Sequence, residues 1–278
     1  MKSIFDSVSA KCSKVVTKAY STSFSLGISF LDRKFHHPIY AIYGYVRFAD
    51  EIVDSFHDYD KVKLIQKFRE DTVEALNAHI SLNPILNSFQ EVVHRYHIEW
   101  ELIDSFLLSM EMDLSQKDHC KVSYEQYIFG SAEVVGLMCL RVFTESDDHL
   151  YSKLKPFAMK LGAAFQKINF LRDLKADYEG LGRTYFPTVN FSRFSAEEKM
   201  GVQREIEQDF KQALIGIKML PVSSRRGVYL AYYYYSKLFN KIKSTPAEKI
   251  ITTRIRIPDL EKMVLLCQSF LRFKAGVL

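Results

Sequence analysis

Asp50-Glu51-Ile52-Val53-Asp54, read together with Asp173-Leu174-Lys175-Ala176-Asp177, decides what this chain is built to do. Each run sets two aspartates four residues apart in a stretch whose apolar residues recur at helical spacing. On a helix such residues share a face, with Cβ atoms roughly 5–6 Å apart, so each run presents two carboxylates side by side. Like charges about 5 Å apart repel by roughly 3 kcal/mol at an effective dielectric near 20. A partly buried pair therefore calls for a cation. Mg²⁺, which takes one or two carboxylates, several waters and a substrate phosphate, suits a two-aspartate face. Mn²⁺ accepts the same oxygen donors.

Outward from these runs, apolar residues at three- and four-residue spacing continue through most of the sequence, and sustained period-two alternation is nearly absent. The fold expected is all-α, a helical bundle around a central cavity, with helices at 4–20, 36–57, 60–79, 84–97, 99–116, 123–143, 147–178, 196–219, 223–243 and 259–274. Asn83 before Pro84 marks a helix start, and Ser195 with Glu198 matches a capping box. Pro258-Asp259 marks another start, while Gly180-Leu181-Gly182 and Pro187 break the pattern into a loop. The aspartate pairs thus fall late in the second helix and at the end of the seventh.

The 278 residues, 47% hydrophobic and 14% aromatic, carry no linker, repeat or low-complexity tract, so one domain spanning 1–278 is the expectation. Residues 1–10 lack a signal-peptide core, and no stretch approaches eighteen apolar residues free of charge, so the expected location is the cytoplasm. Cys12, Cys120, Cys139 and Cys267 are far apart in the sequence and read as reduced thiols. The net charge of +5 is dispersed and no nucleic-acid motif accompanies it, so nucleic acid is not an expected partner. Peripheral contact with an anionic membrane is compatible with this charge, but no anchor is visible.

The neighbours of the aspartates describe a pocket for an anionic head and a greasy tail. Tyr40, Tyr43, Tyr45 and Phe48 surround the first pair; Phe165, Ile168, Phe170 and Leu171 surround the second. Gly162, Ala163 and Ala164 are small residues expected to leave space, and aromatic walls suit an apolar ligand or a carbocation. Arg47 precedes the first pair and Arg172 the second, each able to grip phosphate oxygens with a planar fork. Taken singly, a D-x-x-x-D is usually a solvated face and an arginine beside it a surface ion-pair partner; two matched sets favour function. His94 and His97 stand three apart, with no third ligand supplied, and read as structural. Of the run Tyr232-Tyr233-Tyr234-Tyr235, which covers every helix face, some members must be packing residues.

These residues resemble the squalene/phytoene synthase family. The resemblance rests on Tyr20-Ser21-Thr22-Ser23-Phe24-Ser25, on Ala41-Ile42-Tyr43 leading to Arg47 and Asp54, and on Gln166-Lys167-Ile168-Asn169-Phe170-Leu171-Arg172-Asp173 through Asp177 to Arg183-Thr184-Tyr185-Phe186-Pro187. It implies an isoprenoid-synthase fold and head-to-head condensation of two prenyl diphosphates through a cyclopropylcarbinyl diphosphate. It further implies that Asp50, Asp54, Asp173 and Asp177 hold diphosphate through Mg²⁺, with Asn169 and Gln166 completing the polar lining. Arg47 and Arg172 would hold diphosphate oxygens, and Tyr43 and Tyr235 would stand near the reacting groups. Ser23, Phe24 and Arg183 would belong to the substrate-binding set. Squalene synthases often carry arginine at the position of Phe24 and reduce the intermediate with NADPH; Phe24 favours the non-reducing branch, in which NADPH is not expected.

The chain departs from the family pattern in three places. A tyrosine is usual at Phe129, a glycine at Glu133 and a glutamate at Ala176. Tyr127, two residues from Phe129, would lie on a different helix face. The resulting expectation is a Mg²⁺-dependent synthase joining two geranylgeranyl diphosphates into phytoene. Its nearest rival uses farnesyl diphosphate to make dehydrosqualene, squalene or a hydroxylated C30 precursor. A rival of another class is a non-catalytic helical module binding a lipid or a protein. Asp50→Ala and Asp173→Ala are both expected to abolish turnover with the helical fold intact.

Overall fold

Polar side chains at the helix starts set the boundaries of this structure. Asn83 accepts from the Ile85 backbone N–H ahead of Pro84, and Ser195 and Glu198 cap each other reciprocally. Asp32 and Asp60 cap two further helices in the same way. The computed structural model describes residues 1–115, 120–176, 185–187, 194–258, 261, 264–265 and 268–269. Its helices are α1 (Lys2–Tyr20), α2 (Thr22–Ser29), α3 (Arg33–Ser55), α4 (Lys61–Ala78), α5 (Pro84–Tyr96), α6 (Trp100–Ser115) and α7 (Lys121–Ile128). A π-helical segment (Phe129–Glu133) leads into α8 (Val134–Phe143), followed by α9 (Asp148–Ala176), α10 (Ala196–Met219), α11 (Val222–Ser244) and α12 (Ala247–Ile250). No strand occurs among the described residues. The helix expected at 259–274, its start at Asp259, and the Gly180-Leu181-Gly182 break lie wholly or mostly outside the described residues.

Besides the one-turn α12, which the periodicity reading leaves out, two elements differ from that reading. The chain between 21 and 35 holds α2, which is only eight residues long and rich in weak helix formers. Ser21, in extended backbone, breaks α1 and caps α2 by accepting from the Phe24 N–H at 3.1 Å. The helix expected at 123–143 is interrupted by the π segment, a feature that apolar spacing does not signal and that often accompanies functional sites.

Burial sorts the core into two bodies. One gathers apolar residues of α2 to α6, α8 and the start of α9, with Tyr45 stacked on Phe89 at 3.8 Å near its centre. The other gathers α7, the second half of α9, and α10 to α12. Helix α9 runs through both, so Asp50 and Asp54 on α3 stand on one body and Asp173 on the other. The stretch Lys121–Phe143 has the length and apolarity of a membrane-crossing helix, yet half of its most apolar window is buried inside the fold.

Small residues set the close approaches. A Cβ on Gly227 of α11 would meet Leu31 Cδ2 at 2.5 Å and the Gly27 carbonyl oxygen at 2.7 Å, which fixes how near α11 comes to α2. Gly162 corrects an expectation. Rather than leaving pocket space, its vacant side is filled by the π segment, with the Ala132 carbonyl oxygen 2.7 Å from where a Cβ would stand. Ala163 and Ala164 are packed into the second core body. Smallness here lets two backbones touch and opens no cavity at Gly162.

Candidate active site

On α3, Tyr43, Arg47, Asp50 and Asp54 recur at four- and three-residue spacing and lie along one stripe. Asp50 is partly enclosed, and its carboxyl is pushed up to about 7, by burial first and by the neighbouring Asp54 second. Arg47 ion-pairs with Glu51, stands 3.9 Å from Asp50 and lies over the Tyr20 ring at 4.4 Å, while its buried Nε has no hydrogen-bond partner among the described residues. Tyr43 stacks on Phe24 of α2 at 4.7 Å, and burial raises its hydroxyl above the usual phenol range. Ser23, beside Phe24 on α2, is half-buried.

The second wall comes from α9 and α11. Asn169 and Asp173 are one turn apart on α9, and Tyr235 of α11 donates its hydroxyl to Asn169 Oδ1 at 3.2 Å while stacking on Phe165 at 3.9 Å. Asp173 is held by two arginines, Arg172 through Nε at 3.1 Å and Arg254 through Nε at 2.6 Å. Burial works against the Arg172 charge, but the Asp173 carboxylate more than offsets it, so Arg172 binds its proton more tightly than a free guanidinium. Gln166 is half-buried on the same face as Asn169 and Asp173. The two walls come close at Tyr43 and Tyr235, near enough that each disfavours ionisation of the other, and burial keeps both hydroxyls neutral. Asp177 and Arg183 lie outside the described residues.

Sequence reasoning missed Asp113 and Arg254. Asp113 is buried near the end of α6, accepts from the Tyr127 hydroxyl at 2.7 Å and the Tyr185 hydroxyl at 3.3 Å, and its charge reaches Asp50. Its signal was available, because it continues the buried stripe Leu102, Phe106, Met110 and is the only acid on it. Tyr127, expected on the wrong face to replace the hydroxyl absent from Phe129, thus directs its hydroxyl to an acid beside Asp50. His94 hydrogen-bonds the Leu76 carbonyl and His97 ends α5 in left-handed backbone, in keeping with structural roles.

Glu133 has a location that accounts for its charge. It closes the π segment beside a cluster in which Lys167 pairs with Asp209 at 2.8 Å and Glu205 at 3.3 Å, and Lys160 pairs with Asp209 at 3.3 Å. Burial pushes the Glu133 carboxyl up to about 7; Lys160 and Lys167 pull against that rise and Asp209 adds to it. A carboxyl whose folded-state pKa exceeds its ordinary value supports the fold fully below about 4.5, and that support is lost as pH rises through about 7. Glu133→Gln should therefore be more stable than the parent at pH 8 by roughly 1–3 kcal/mol and near-equal at pH 4. Calorimetry at the two pH values checks this.

Among the described residues no group of three or more His, Cys, Asp and Glu side chains forms a ready metal cage. The donor set still fits Mg²⁺: two hard oxygen donors one turn apart, one of them pushed up to about 7 because its neighbour and its burial disfavour a second charge.

The crystal structure of a dehydrosqualene synthase superposes with a TM-score of 0.82 over 98% of this chain and 99% of that one, at 19% identity, so the architecture is the all-α isoprenoid synthase fold. A squalene synthase from Alicyclobacillus acidocaldarius superposes at 0.74 over 84% of this chain and 93% of that one, at 18% identity. The squalene/phytoene synthase family model matches residues 17–261, and the chain belongs to that family, whose members condense prenyl diphosphates head to head. It is similar to the 4,4'-diapophytoene synthase of Staphylococcus haemolyticus, 26% identical over 70% of this chain and 66% of that protein. It is also similar to the phytoene synthase of Arthrospira platensis, 23% identical over 95% of this chain and 92% of that protein. A presqualene diphosphate synthase of Sinorhizobium fredii is 31% identical over 61% of this chain and 59% of its own length.

Proposed function

We propose that this chain joins two geranylgeranyl diphosphates head to head into phytoene, with Mg²⁺ as its ion and without NADPH. The observation that carries the reading is the Asp50–Asp54 pair on α3, its Asp50 carboxyl pushed up by burial and by Asp54, with Tyr43 of the same helix near Tyr235, which holds Asn169 beside Asp173 on α9. Asp50, Asp54 and Asp173, with Asn169 and Asp177, would hold the ion, which supplies charge neutralisation for a departing diphosphate. Each half-reaction expels one diphosphate and loses one proton, so the product keeps a conjugated central triene and no hydride is needed. Arg47 and Arg172, now engaged by carboxylates, are near enough to exchange those partners for phosphate oxygens. Phe24, Tyr43, Phe165 and Tyr235 present stacked faces that would shelter an allylic cation from water.

Alignment with a phytoene synthase over nearly the whole chain supports the C20 reading. The superposition on a dehydrosqualene synthase favours, as the second reading, condensation of two farnesyl diphosphates into dehydrosqualene. The deciding experiment incubates purified protein with C15 and C20 diphosphates, with and without Mg²⁺ and NADPH, and identifies the hydrocarbons. A C40 triene formed with Mg²⁺ alone is expected. A C30 product establishes the second reading, a reduced product overturns the non-reducing branch, and tight prenyl binding without turnover overturns the enzymatic reading.

A further inference from the structure

Helix α1 is packed inside out. The residues it buries are Ser9, Ser13 and Thr17, each fully inaccessible, against α3 and α5. Ser13 lies against Gly44 of α3, where a Cβ would come within 3.2 Å of the serine side chain, and Asn87 of α5 donates to Asp6 and Ser9. The opposite face carries Ile4, Val8, Lys11, Val15 and Lys18 at spacings of four, three, four and three, one continuous stripe. Ile4 is 68% exposed, Val8 47% and Val15 66%. A soluble helix normally turns such a stripe inward.

The charge of the helix says what this face meets. The helix carries four lysines against a single acid, Asp6, which is already bound by Lys2 and Asn87. Lys11 and Lys18 sit within the stripe and exposed Lys14 beside it, so its charge complements an anionic surface. Exposed branched residues on a rigid helix, interleaved with lysines, match the pattern of helices that lie in a bilayer interface with the apolar face down.

We infer that the outer face of α1 docks this protein on the surface of an anionic lipid bilayer. The inference stands on this surface and does not depend on which prenyl diphosphate the active site takes. Flotation of the purified full chain with vesicles tests it, comparing phosphatidylcholine alone with phosphatidylcholine doped with phosphatidylglycerol. Binding is expected only to the anionic vesicles, weakening as salt is raised. Val8→Glu/Val15→Glu should weaken binding about tenfold or more, and Lys11→Glu/Lys14→Glu/Lys18→Glu about a hundredfold, with unchanged circular dichroism because none of these side chains is buried. Ile215→Glu, an exposed site on α10, should leave binding intact and so controls for added charge. Failure of the parent to float with anionic vesicles overturns the proposal, as does equal flotation of the Val8→Glu/Val15→Glu protein. A parent dimer that those substitutions split into monomers would reassign the stripe to a second copy of the chain.

Discussion

Asp50→Asn should abolish turnover and at the same time make the protein more heat-stable. Loss of one carboxylate that would hold the ion removes transition-state charge stabilisation, and a fall in kcat of about a thousandfold or more is expected. The stability gain comes from the same carboxyl. In the folded chain burial and Asp54 push Asp50 from 3.8 up to about 7, so its ionised form opposes folding. That opposition is absent below about 3.8, where the carboxyl is protonated folded or unfolded, and complete above about 7. Asparagine is neutral throughout. With a discount for a side chain still 33% exposed, the gain at pH 8 is about 1–2 kcal/mol, or roughly 2–6 °C, and it vanishes near pH 3.8. Mg²⁺ should raise the midpoint of the parent and leave Asp50→Asn unmoved. A substituted protein that is destabilised at pH 8 would show that Asp50 is held by its surroundings and not strained by them.

Asp173→Ala should lose activity to a similar degree but should also lose stability. Asp173 takes both Arg172 and Arg254, and Arg172 is the more enclosed, its side chain 23% exposed against 47%. Truncation leaves the Arg172 guanidinium enclosed without its carboxylate, and removing one member of such a pair costs about 2–4 kcal/mol, roughly 5–15 °C here. This separates two aspartates that the sequence treats alike, since both were expected to tolerate alanine with the fold intact. Arg172→Leu/Asp173→Leu should recover much of the midpoint without recovering turnover, because replacing both partners removes the stranded charge. Paired thermal melts and product assays distinguish this from a purely catalytic Asp173. A single variant as stable as the parent would place Arg172 in effective contact with water.

Asp113 marks where reading by motif ran out. It belongs to no acidic pair, and only the buried stripe of α6 sets it apart, yet it receives Tyr127 and Tyr185 and adds to the pressure on Asp50. Tyr185 comes from the segment after α9, and no spacing rule connects residues 113, 127 and 185. Arg254 on Asp173 is the same kind of case, joining positions far apart in the chain through space alone.

Local chemistry determined most of the helices on its own. Periodicity, the Asn83-Pro84 start and the Ser195–Glu198 box act within one or two turns, so they are present in the linear chain before anything packs. The aspartate pairs were legible for the same reason, four residues being one turn. Tertiary structure decided what depends on neighbours from elsewhere. It set the strain on Asp50 against the clamp on Asp173, the filling of Gly162 by the π segment, and the direction in which α1 faces. The valines and isoleucine of α1 look like a core stripe until Gly44 and Asn87 are seen to take its serine face instead. A pattern states which residues share a face. Which face is buried depends on the surfaces that α3 and α5 present to it.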